Sequence, residues 1–380
     1  MAALLSALLL AGVLAFLWWE RRARDAAQGA IPIRVHVNGT RGKSTVTRLV
    51  AAALREAGIR TVAKTTGTAP RLILPDGSER PVRRRAPASI REQLWLLREA
   101  HRLQAGAVVI ECMAVDPDLQ TVCEEQMIRS TVGVITNARP DHGEVMGSTV
   151  DDVARALGST VPHEAILVIG PTSGDDILAA IAESRGSRVV RALADGRDAV
   201  SWAGRPWMAE DASVALAVTR ELGIPDEVAR RGMRAASLDP GALRDGHLDV
   251  AGRRIDWIDA SAANDPQSLA LILGAPRLDA LFVYHHRADR PARLRQFGES
   301  APWSRPGDAV LVTGDRPDWS TWRRLAGRLP RAGGAYTPPA RIAAELRRRL
   351  TASPAPAVVV FCGNTKGIRV DAVVAALQQA

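Results

Sequence analysis

Residues 2–19 form an apolar run that is interrupted only by Ser6 and carries no charge. A helix of this length spans about 27 Å, which is close to the thickness of the hydrocarbon core of a membrane. Trp18 and Trp19 close the run, and indole rings favour the membrane–water interface. The pattern therefore predicts a transmembrane helix.

The charges beside this run predict its orientation. Three arginines follow it within five residues, namely Arg21, Arg22 and Arg24. Because positive residues stay on the cytoplasmic side, we expect a single-pass anchor over residues 1–24 in the cell membrane, with the rest of the chain in the cytoplasm. A cleaved signal peptide is the alternative, but such a peptide normally carries its positive charge before the apolar run.

Residues 31–64 show two hydrophobic periodicities in succession. Apolar residues occupy every second position from 31 to 37, as in a strand, and then recur on one face of a helix from 44 to 57. Gly58 is a helix stop, and residues 60–64 begin a second strand. We therefore expect a strand–helix–strand unit here.

The same alternation continues along the chain. Buried-type strands are predicted at 108–110 and 131–136, and a later series comprises strands 255–259, 281–284, 309–313 and 357–361 and a helix at 269–273. Strands that alternate with helices predict an α/β fold, and 380 residues exceed what one hydrophobic core usually holds. We expect a central domain with a parallel-rich sheet over 31–245 and a smaller, Rossmann-like α/β domain over 246–380.

The charge composition argues against a nucleic-acid partner. The formal net charge is +9, and 47 of the 50 basic residues are arginine. The two arginine runs, at 83–85 and 347–349, have no aromatic residues interleaved with them, as a groove for single strands would require. We therefore expect no binding of nucleic acid. The three cysteines are too few and too scattered for a disulfide framework or a zinc site.

The loop between the first strand and its helix reads Gly39-Thr40-Arg41-Gly42-Lys43-Ser44-Thr45. Glycines let backbone amides surround phosphate oxygens at the positive end of a helix. Lys43 can neutralise the β- and γ-phosphates, and the Ser44 hydroxyl can bind Mg²⁺. The standard Walker pattern has a glycine where this chain has Val37, so the motif is a shortened variant. It predicts an ATP and Mg²⁺ site, and a glycine-rich turn with a surface lysine is the alternative.

Polar side chains stand at the ends of two later strands. Glu111 ends one strand, and His142 follows the other. Open α/β sheets bind ligands at the carboxyl ends of their strands, and a carboxylate oxygen suits Mg²⁺. We therefore expect Ser44, Glu111 and His142 as candidate metal ligands. Taken singly, a strand-end charge and a loop histidine would be the simpler interpretation.

In combination these motifs resemble the Mur ligases and folylpolyglutamate synthases, which use ATP to join amino acids to carboxylates. The loop at 39–45 is similar to their nucleotide loop. The run with Asn137, Asp141, His142, Glu144 and Gly147 resembles their Thr-Asn, Asp-His-x-Asp and Gly signature, with glutamate replacing the second aspartate. The family's carbamoylated lysine has no counterpart, because the chain contains no lysine between residues 65 and 365.

Other segments resemble the ligase subunit of poly-γ-glutamate synthases. They are Lys64-Thr65-Thr66-Gly67-Thr68, Arg83-Arg84-Arg85, Ser89-Ile90-Arg91-Glu92 and the turn Asp239-Pro240-Gly241-Ala242-Leu243-Arg244. Ser89 and Glu92 are also expected to form a capping box for the helix that follows. Two more segments resemble Mur-ligase loops, Asn264-Asp265-Pro266 and His286-Arg287-Ala288-Asp289-Arg290.

The resemblance implies a Mur-ligase-type central domain and a set of ligand contacts. The nucleotide contacts that it implies are Gly39, Thr40, Arg41, Gly42, Lys43, Ser44, Thr45, Asn137, Arg244 and Asn264. The substrate contacts that it implies are Thr66, Arg287, Arg290 and Lys366. For Lys366, which follows a glycine-rich strand end, a plain turn with a surface lysine is an equal alternative.

The resemblance also implies an activity, which is ATP- and Mg²⁺-dependent amide ligation through an acyl-phosphate, with Lys43, Glu111 and His142 as catalytic residues. The substrates would be glutamate and a poly-γ-glutamate chain, and the partners other membrane subunits of a synthase, with a homo-oligomer left open. The nearer alternative is another Mur-type ligase, such as a folylpolyglutamate synthase. The more distant one is a P-loop NTPase without ligase activity, which would need no second domain with a loop like 264–266.

Overall fold

The computed structural model describes residues 1–66, 70–84, 87–140, 142–192, 208–237, 243–263, 265–273, 280–299, 309–320, 337–352, 357–364 and 367–379. The chain divides into two compact units, Met1–Asp239 and Pro240–Ala380. The sequence-based boundary at 245 falls inside the first strand of the second unit. The first helix continues to Ala30, six residues beyond the anchor that was expected over 1–24.

The first unit is built on an eight-stranded sheet. Its strands are β1 (Ile33–Asn38), β2 (Thr61–Lys64), β3 (Arg71–Ile73), β4 (Glu79–Pro81), β5 (Ala107–Glu111), β6 (Val132–Ile135), β7 (Ile166–Ile169) and β8 (Arg188–Arg191). The order across the sheet is β4-β3-β2-β5-β1-β6-β7-β8. The pairings of β2, β5, β1, β6, β7 and β8 are parallel, and only the β3–β4 hairpin is attached antiparallel.

Helices precede, connect and follow the strands. In the first unit they are α1 (Ala2–Ala30), α2 (Lys43–Glu56), α3 (Glu92–Arg102), α4 (Pro117–Thr121), α5 (Gly143–Met146), α6 (Val150–Leu157), α7 (Asp175–Ser184), α8 (Met208–Glu221) and α9 (Asp226–Arg234). A π-helical turn, Val122–Ile128, continues α4, and a 3₁₀ turn, Gly158–Thr160, continues α6. This arrangement puts β1 at the centre of the sheet, where the loop to α2 opens at its carboxyl end.

Apolar side chains of the central strands point alternately to the two faces of the sheet. On β5, Val109 packs in the core beneath α2 and α8, whereas Val108 and Ile110 pack in the core beneath α3. This alternation covers both faces, as a parallel sheet requires. Each fully buried valine, leucine or isoleucine contributes about 1.5–3 kcal/mol of hydrophobic free energy, so these cores hold the sheet that carries the site.

The predicted capping box at the start of α3 is wrong. The helix begins at Glu92 without a side-chain cap among the described residues. Ser89 instead accepts a bond from the Arg91 amide at 3.3 Å. The Glu92 carboxylate pairs with Arg84 and Lys64 instead.

The second unit is a five-stranded sheet with helices. Its strands are β9 (Arg244–Val250), β10 (Arg253–Asp259), β11 (Ala280–His286), β12 (Ala309–Gly314) and β13 (Val358–Cys362), in the order β12-β11-β13-β10-β9. Its helices are α10 (Pro266–Leu273), α11 (Pro291–Gly298), α12 (Pro339–Ala352) and α13 (Val370–Gln379). Among the described strands of this unit, only β9 and β10 pair antiparallel, through a turn at Ala251 and Gly252, which have φ angles of 51° and 77°. The expectation of a second α/β unit is confirmed.

Candidate active site

The loop between β1 and α2 depends on two glycines. Gly39 has φ 131° and Gly42 has φ 78°, in the region that favours glycine. A Cβ atom on Gly39 would lie 2.1 Å from the Thr136 hydroxyl oxygen, and one on Gly42 would lie 2.0 Å from Asp211 Oδ1. Both glycines are therefore required by backbone conformation and by close packing.

The end of β6 clamps this loop. Asn137 Oδ1 accepts bonds from the Thr40 hydroxyl at 2.7 Å and from the Arg41 amide at 3.1 Å. The Thr136 hydroxyl and the Asn137 side-chain amide both donate to the Arg41 carbonyl, at 2.5 and 3.2 Å. Asn137, expected as a nucleotide contact, is thus held by the loop itself and sets the loop's shape.

Lys43 lies over the loop at the start of α2. Its ammonium group donates a 2.6 Å bond to the Gly39 carbonyl. Gly42 occupies the N-cap position and supplies no side chain, so no side-chain acceptor among the described residues caps this helix. Uncapped amides and the helix dipole make such a terminus a ready anion site. The positive charge and the amides are therefore available at the same place.

Glu111 joins two predicted residues at the carboxyl end of β5. Its Oε2 atom accepts bonds from the Ser44 hydroxyl at 2.8 Å and from the Thr66 amide at 2.7 Å. The Glu111 side chain is buried, with only 3% of the residue exposed. A hydroxyl and a carboxylate, both hard oxygen donors, thus meet beside Lys43.

This donor pair fits Mg²⁺. The described residues contain no cluster of three or more His, Cys, Asp or Glu side chains that could hold a metal ion. Mg²⁺ commonly binds through one or two protein oxygens and completes its shell with water and substrate phosphates. Ser44 and Glu111 match that pattern better than they match an all-protein cage.

His142 is the N-cap residue of α5 and has a φ of 49°, a left-handed conformation. Its Nδ1 atom lies 3.8 Å from Glu144 Oε1. Asp141, the first acidic residue of the expected signature, lies outside the described residues. The metal-binding and catalytic roles of His142 stay predictions.

A buried ion pair lies beside Thr66. Lys64, at the carboxyl end of β2, is fully buried, and its ammonium nitrogen lies 3.0 Å from Glu92 Oε2. Burial lowers the pKa of Lys64, and the charge of Glu92 opposes that effect. Arg84 donates to the two oxygens of the same carboxylate at 2.7 and 3.1 Å. The network fixes the strand end that leads to Thr66.

The expected ligand contacts of the second unit have partners within that unit. Arg244 pairs with Asp259 at 2.8 Å and with Asp371 at 2.5 Å. Arg287 donates to the Asp289 carboxylate at 2.9 and 2.5 Å. Arg290 forms the N-cap of α11, with its amide bonded to the Arg287 carbonyl. Asn264 and Lys366 lie outside the described residues, and the ligand roles of all five residues stay predictions.

Two family models match the chain. Residues 37–205 match the Mur ligase middle domain, and residues 247–380 match the C-terminal domain of the poly-γ-glutamate synthase CapB. The capsule biosynthesis protein CapB of Bacillus anthracis is 38% identical over 78% of this chain and 66% of its own length. The PGA synthase CapB of Bacillus subtilis (strain 168) is 37% identical over 77% of each chain.

The chain belongs to the CapB family.

By class this CapB-family protein is an ATP-dependent amide ligase of Mur type, which confirms the resemblance seen in the sequence. Its fold is similar to that of E. coli FolC in complex with ADP, with a TM-score of 0.63, 18% identity and coverage of 98% of both chains. The match to CapB of B. anthracis covers just under two thirds of that protein.

One acidic residue at the loop of this CapB-family protein was not predicted. Asp211, on α8, lies against Gly42 and accepts a hydrogen bond from the Thr45 hydroxyl. Burial raises the pKa of Asp211 to about 7, and the charge of Glu210 acts in the same direction. Glu210 itself pairs with Arg139 at 2.8 Å. Asp211 lies 169 positions after Gly42, and neither Glu210 nor Asp211 belongs to a motif, so only the fold reveals them.

A second unpredicted cluster lies at the carboxyl ends of β11, β12 and β13. Asn364 donates to the His285 carbonyl at 2.8 Å and accepts from Arg293 at 2.6 Å. His285 Nδ1 lies 3.1 Å from the Thr313 hydroxyl oxygen. The cluster is buried and polar, at the edge where parallel sheets bind ligands.

Proposed function

We propose that this chain forms γ-glutamyl amide bonds at the expense of ATP, through an acyl-phosphate, in the synthesis of poly-γ-glutamate at the membrane. The names of the Bacillus relatives support the product, and the ADP bound to FolC supports the nucleotide. The observation that carries the proposal is the meeting of Ser44, Glu111 and Thr66 beside Lys43.

The loop residues have distinct roles in nucleotide binding. The amides at the start of α2 and the Lys43 ammonium group bind the β- and γ-phosphates of ATP. Ser44 and Glu111 would hold Mg²⁺, which, when bound, neutralises charge on the phosphate oxygens. Asn137 and Thr136 keep the loop in the conformation that aims its amides at the phosphates. His142 is a further candidate ligand for metal or phosphate.

The first half-reaction activates a carboxylate. An oxygen of a glutamate side-chain carboxylate attacks the γ-phosphorus, the bond to the bridging oxygen breaks, and ADP leaves. The negative charge on the transferring group is spread over its oxygens, and stabilising that charge is the main catalytic task. We assign this task to Lys43, whose ammonium group is bonded to the Gly39 carbonyl within the loop.

The second half-reaction forms the amide. The amino group of another glutamate attacks the acyl carbon, the carbon–oxygen bond to phosphate breaks, and inorganic phosphate leaves with loss of a proton from nitrogen. Thr66, whose amide is fixed on Glu111, is proposed to face the acceptor. Arg287, Arg290 and Lys366 are proposed to bind the carboxylates of the anionic chain.

Membrane attachment is part of the proposal. The helix segment Leu4–Ala30 is long and apolar enough to cross a membrane, with none of its most apolar window buried in the fold. We propose that it anchors a cytoplasmic ligase as a single-pass helix and that other membrane subunits accompany it, since a polymer made inside the cell has to leave it.

Release of ADP tests the proposed reaction. We expect the full-length protein to release ADP in a glutamate-dependent manner and to lengthen a poly-γ-glutamate chain. Lys43→Ala should lower this rate at least about a hundredfold, because phosphoryl transfer depends on charge stabilisation. Arg155→Ala removes an exposed arginine that pairs only loosely with Asp152 and serves as the matched control. ADP release that is independent of glutamate would refute the proposal.

The same assay distinguishes the proposed activity from that of a folylpolyglutamate synthase. Fold similarity to FolC over 98% of both chains leaves a folate as a possible acceptor. A folylpolyglutamate synthase would require a folate for ADP release and would add glutamate to it. Sizing the product with and without folate decides between the two activities.

A further inference from the structure

The first helix has an exposed part and a packed part. All described large apolar side chains between Leu4 and Trp19 are more than half exposed. From Glu20 onwards the same helix becomes partly buried, and Gln28 is fully buried. Because α1 is continuous from Ala2 to Ala30, the packed part determines the direction in which the apolar part points.

The carboxyl end of α1 is attached to the amino ends of the central strands. Gln28 donates from its side chain to the Met127 carbonyl at 2.6 Å, just before β6. Arg34, the second residue of β1, donates to the Gln28 carbonyl at 3.0 Å. The end of α1 is therefore fixed at the edge of the sheet opposite the phosphate-binding loop.

The helix then runs towards the other edge along α3. Glu20 Oε1 lies 3.2 Å from Arg98 and 3.7 Å from Arg91. The start of α3 lies at the carboxyl ends of the strands, because Gln93 bonds to the Glu111 carbonyl at 3.3 Å. The end of α3 lies at the amino ends, where Arg60 donates to the Leu103 carbonyl.

Helix geometry then gives the position of Glu20 along the direction of the strands. Ten residues of helix rise about 15 Å, and the six residues of β1 span about 20 Å. Glu20 thus lies near the level of the strand carboxyl ends. Residues 4–19 continue past that edge, on the side where β1 opens into the phosphate-binding loop.

The side chains near Glu20, at the level of the strand carboxyl ends, suit a membrane surface. Trp18 and Trp19 are more than half exposed, and the Arg22 guanidinium lies 4.9 Å from the Trp18 ring centroid. The Arg98 guanidinium lies 6.0 Å from the Trp19 ring, and the Arg91 side chain is 72% exposed. Indole rings settle at headgroup depth, and arginines there attract anionic lipids.

We propose that the carboxyl edge of the first sheet faces the membrane and that Arg91 and Arg98, together with Trp19, bind anionic lipid headgroups. This inference rests on the membrane anchoring proposed above. The bonds of Gln28 and Arg34 at the end of α1 hold the sheet in this orientation. The phosphate-binding loop and Glu111 then lie on the bilayer side of the unit, so that amide bonds form close to the membrane.

Energy transfer from single labels tests this orientation. Cys112, Cys123 and Cys362 are all buried, so an introduced surface cysteine can be labelled selectively in the full chain. Ala88 and His101 are both exposed and lie before and near the end of α3. The two variants Ala88→Cys and His101→Cys therefore report on opposite edges of the sheet.

The labelled proteins are placed in nanodiscs of equal parts phosphatidylcholine and phosphatidylglycerol that contain a rhodamine-labelled lipid. We expect stronger energy transfer to the lipid from position 88 than from position 101. Equal transfer, or stronger transfer from position 101, would overturn the orientation. Flotation with vesicles checks the anchor separately, since protein that fails to float would remove both the anchor and this inference, while the ADP assay would still stand.

The lipid contact has its own control. In labelled Ala88→Cys protein with no further substitution, energy transfer to the lipid should rise when phosphatidylglycerol replaces part of the phosphatidylcholine. The double variant Arg91→Gln/Arg98→Gln should lose this rise, whereas Arg102→Gln, at the other end of α3, should keep it. A rise of the same size in the double variant would contradict headgroup binding.

Discussion

At the scale of single residues, the phosphate-binding loop is held by contacts that its own sequence does not reveal. Thr136 and Asn137 bind the Arg41 carbonyl from β6, and Asp211 covers Gly42 from α8. The motif predicted a loop that binds phosphate, because glycines, lysine and serine have local reasons to be there. It could not predict the clamp, because these partners are contributed by distant segments.

Gly42 provides a test at this scale. Gly42→Ala should weaken ATP binding at least about tenfold, because alanine is strained at a φ of 78° and its Cβ would collide with Asp211. Calorimetric titration with ATP measures the loss, and circular dichroism checks the fold. The double variant Gly42→Ala/Asp211→Ala should recover part of the affinity, since it relieves the collision but not the backbone strain. Full affinity in the single variant would refute this role for Gly42.

At the scale of secondary structure, periodic segments were predictable and short polar ones were not. The strands β1, β5 and β6 and the helix α2 follow strong hydrophobic patterns, and they form as expected. The β3–β4 hairpin was missed because its strands have three residues each and include arginine, glutamate and proline. Its pairing depends on contacts with β2 rather than on any local pattern.

A buried pair joins β1 to the π-helical turn and makes stability depend on pH. His36 Nδ1 lies 2.7 Å from Glu124 Oε2, and both side chains are buried. Burial disfavours the charged imidazole, but hydrogen bonds with Cys112 and Glu124 outweigh it and raise the pKa of His36 to about 10. Ser130 donates twice to the other oxygen of Glu124.

The direction in which pH changes the stability follows from the difference between the folded and unfolded pKa of His36. The folded-state pKa of His36 exceeds its unfolded value of 6.5, so its contribution is complete below pH 6.5 and is lost as pH rises towards 10. We expect the free energy of unfolding, measured with urea, to fall across this range. His36→Gln should flatten the fall, and His163→Gln, at an exposed histidine, should leave it unchanged. An equal fall in His36→Gln would exclude His36 as its source.

At the scale of the whole molecule, the chain has two α/β units and one apolar helix, which we propose to be a membrane anchor. The sequence predicted both units, because strands and helices alternate along the whole chain. It could not predict that α1 packs on α3, since that packing depends on Glu20, Arg91 and Arg98, which lie far apart in the chain. Long-range ion pairs of this kind follow only from the fold.

In the proposed reaction, ATP transfers its γ-phosphoryl group to a carboxylate before the amide forms. Glutamate with ¹⁸O in its side-chain carboxylate tests this directly, with the released phosphate analysed by mass spectrometry. An acyl-phosphate requires one labelled oxygen to pass from the carboxylate to the phosphate for each amide bond that forms. Phosphate that carries no ¹⁸O while the polymer grows would contradict an acyl-phosphate intermediate.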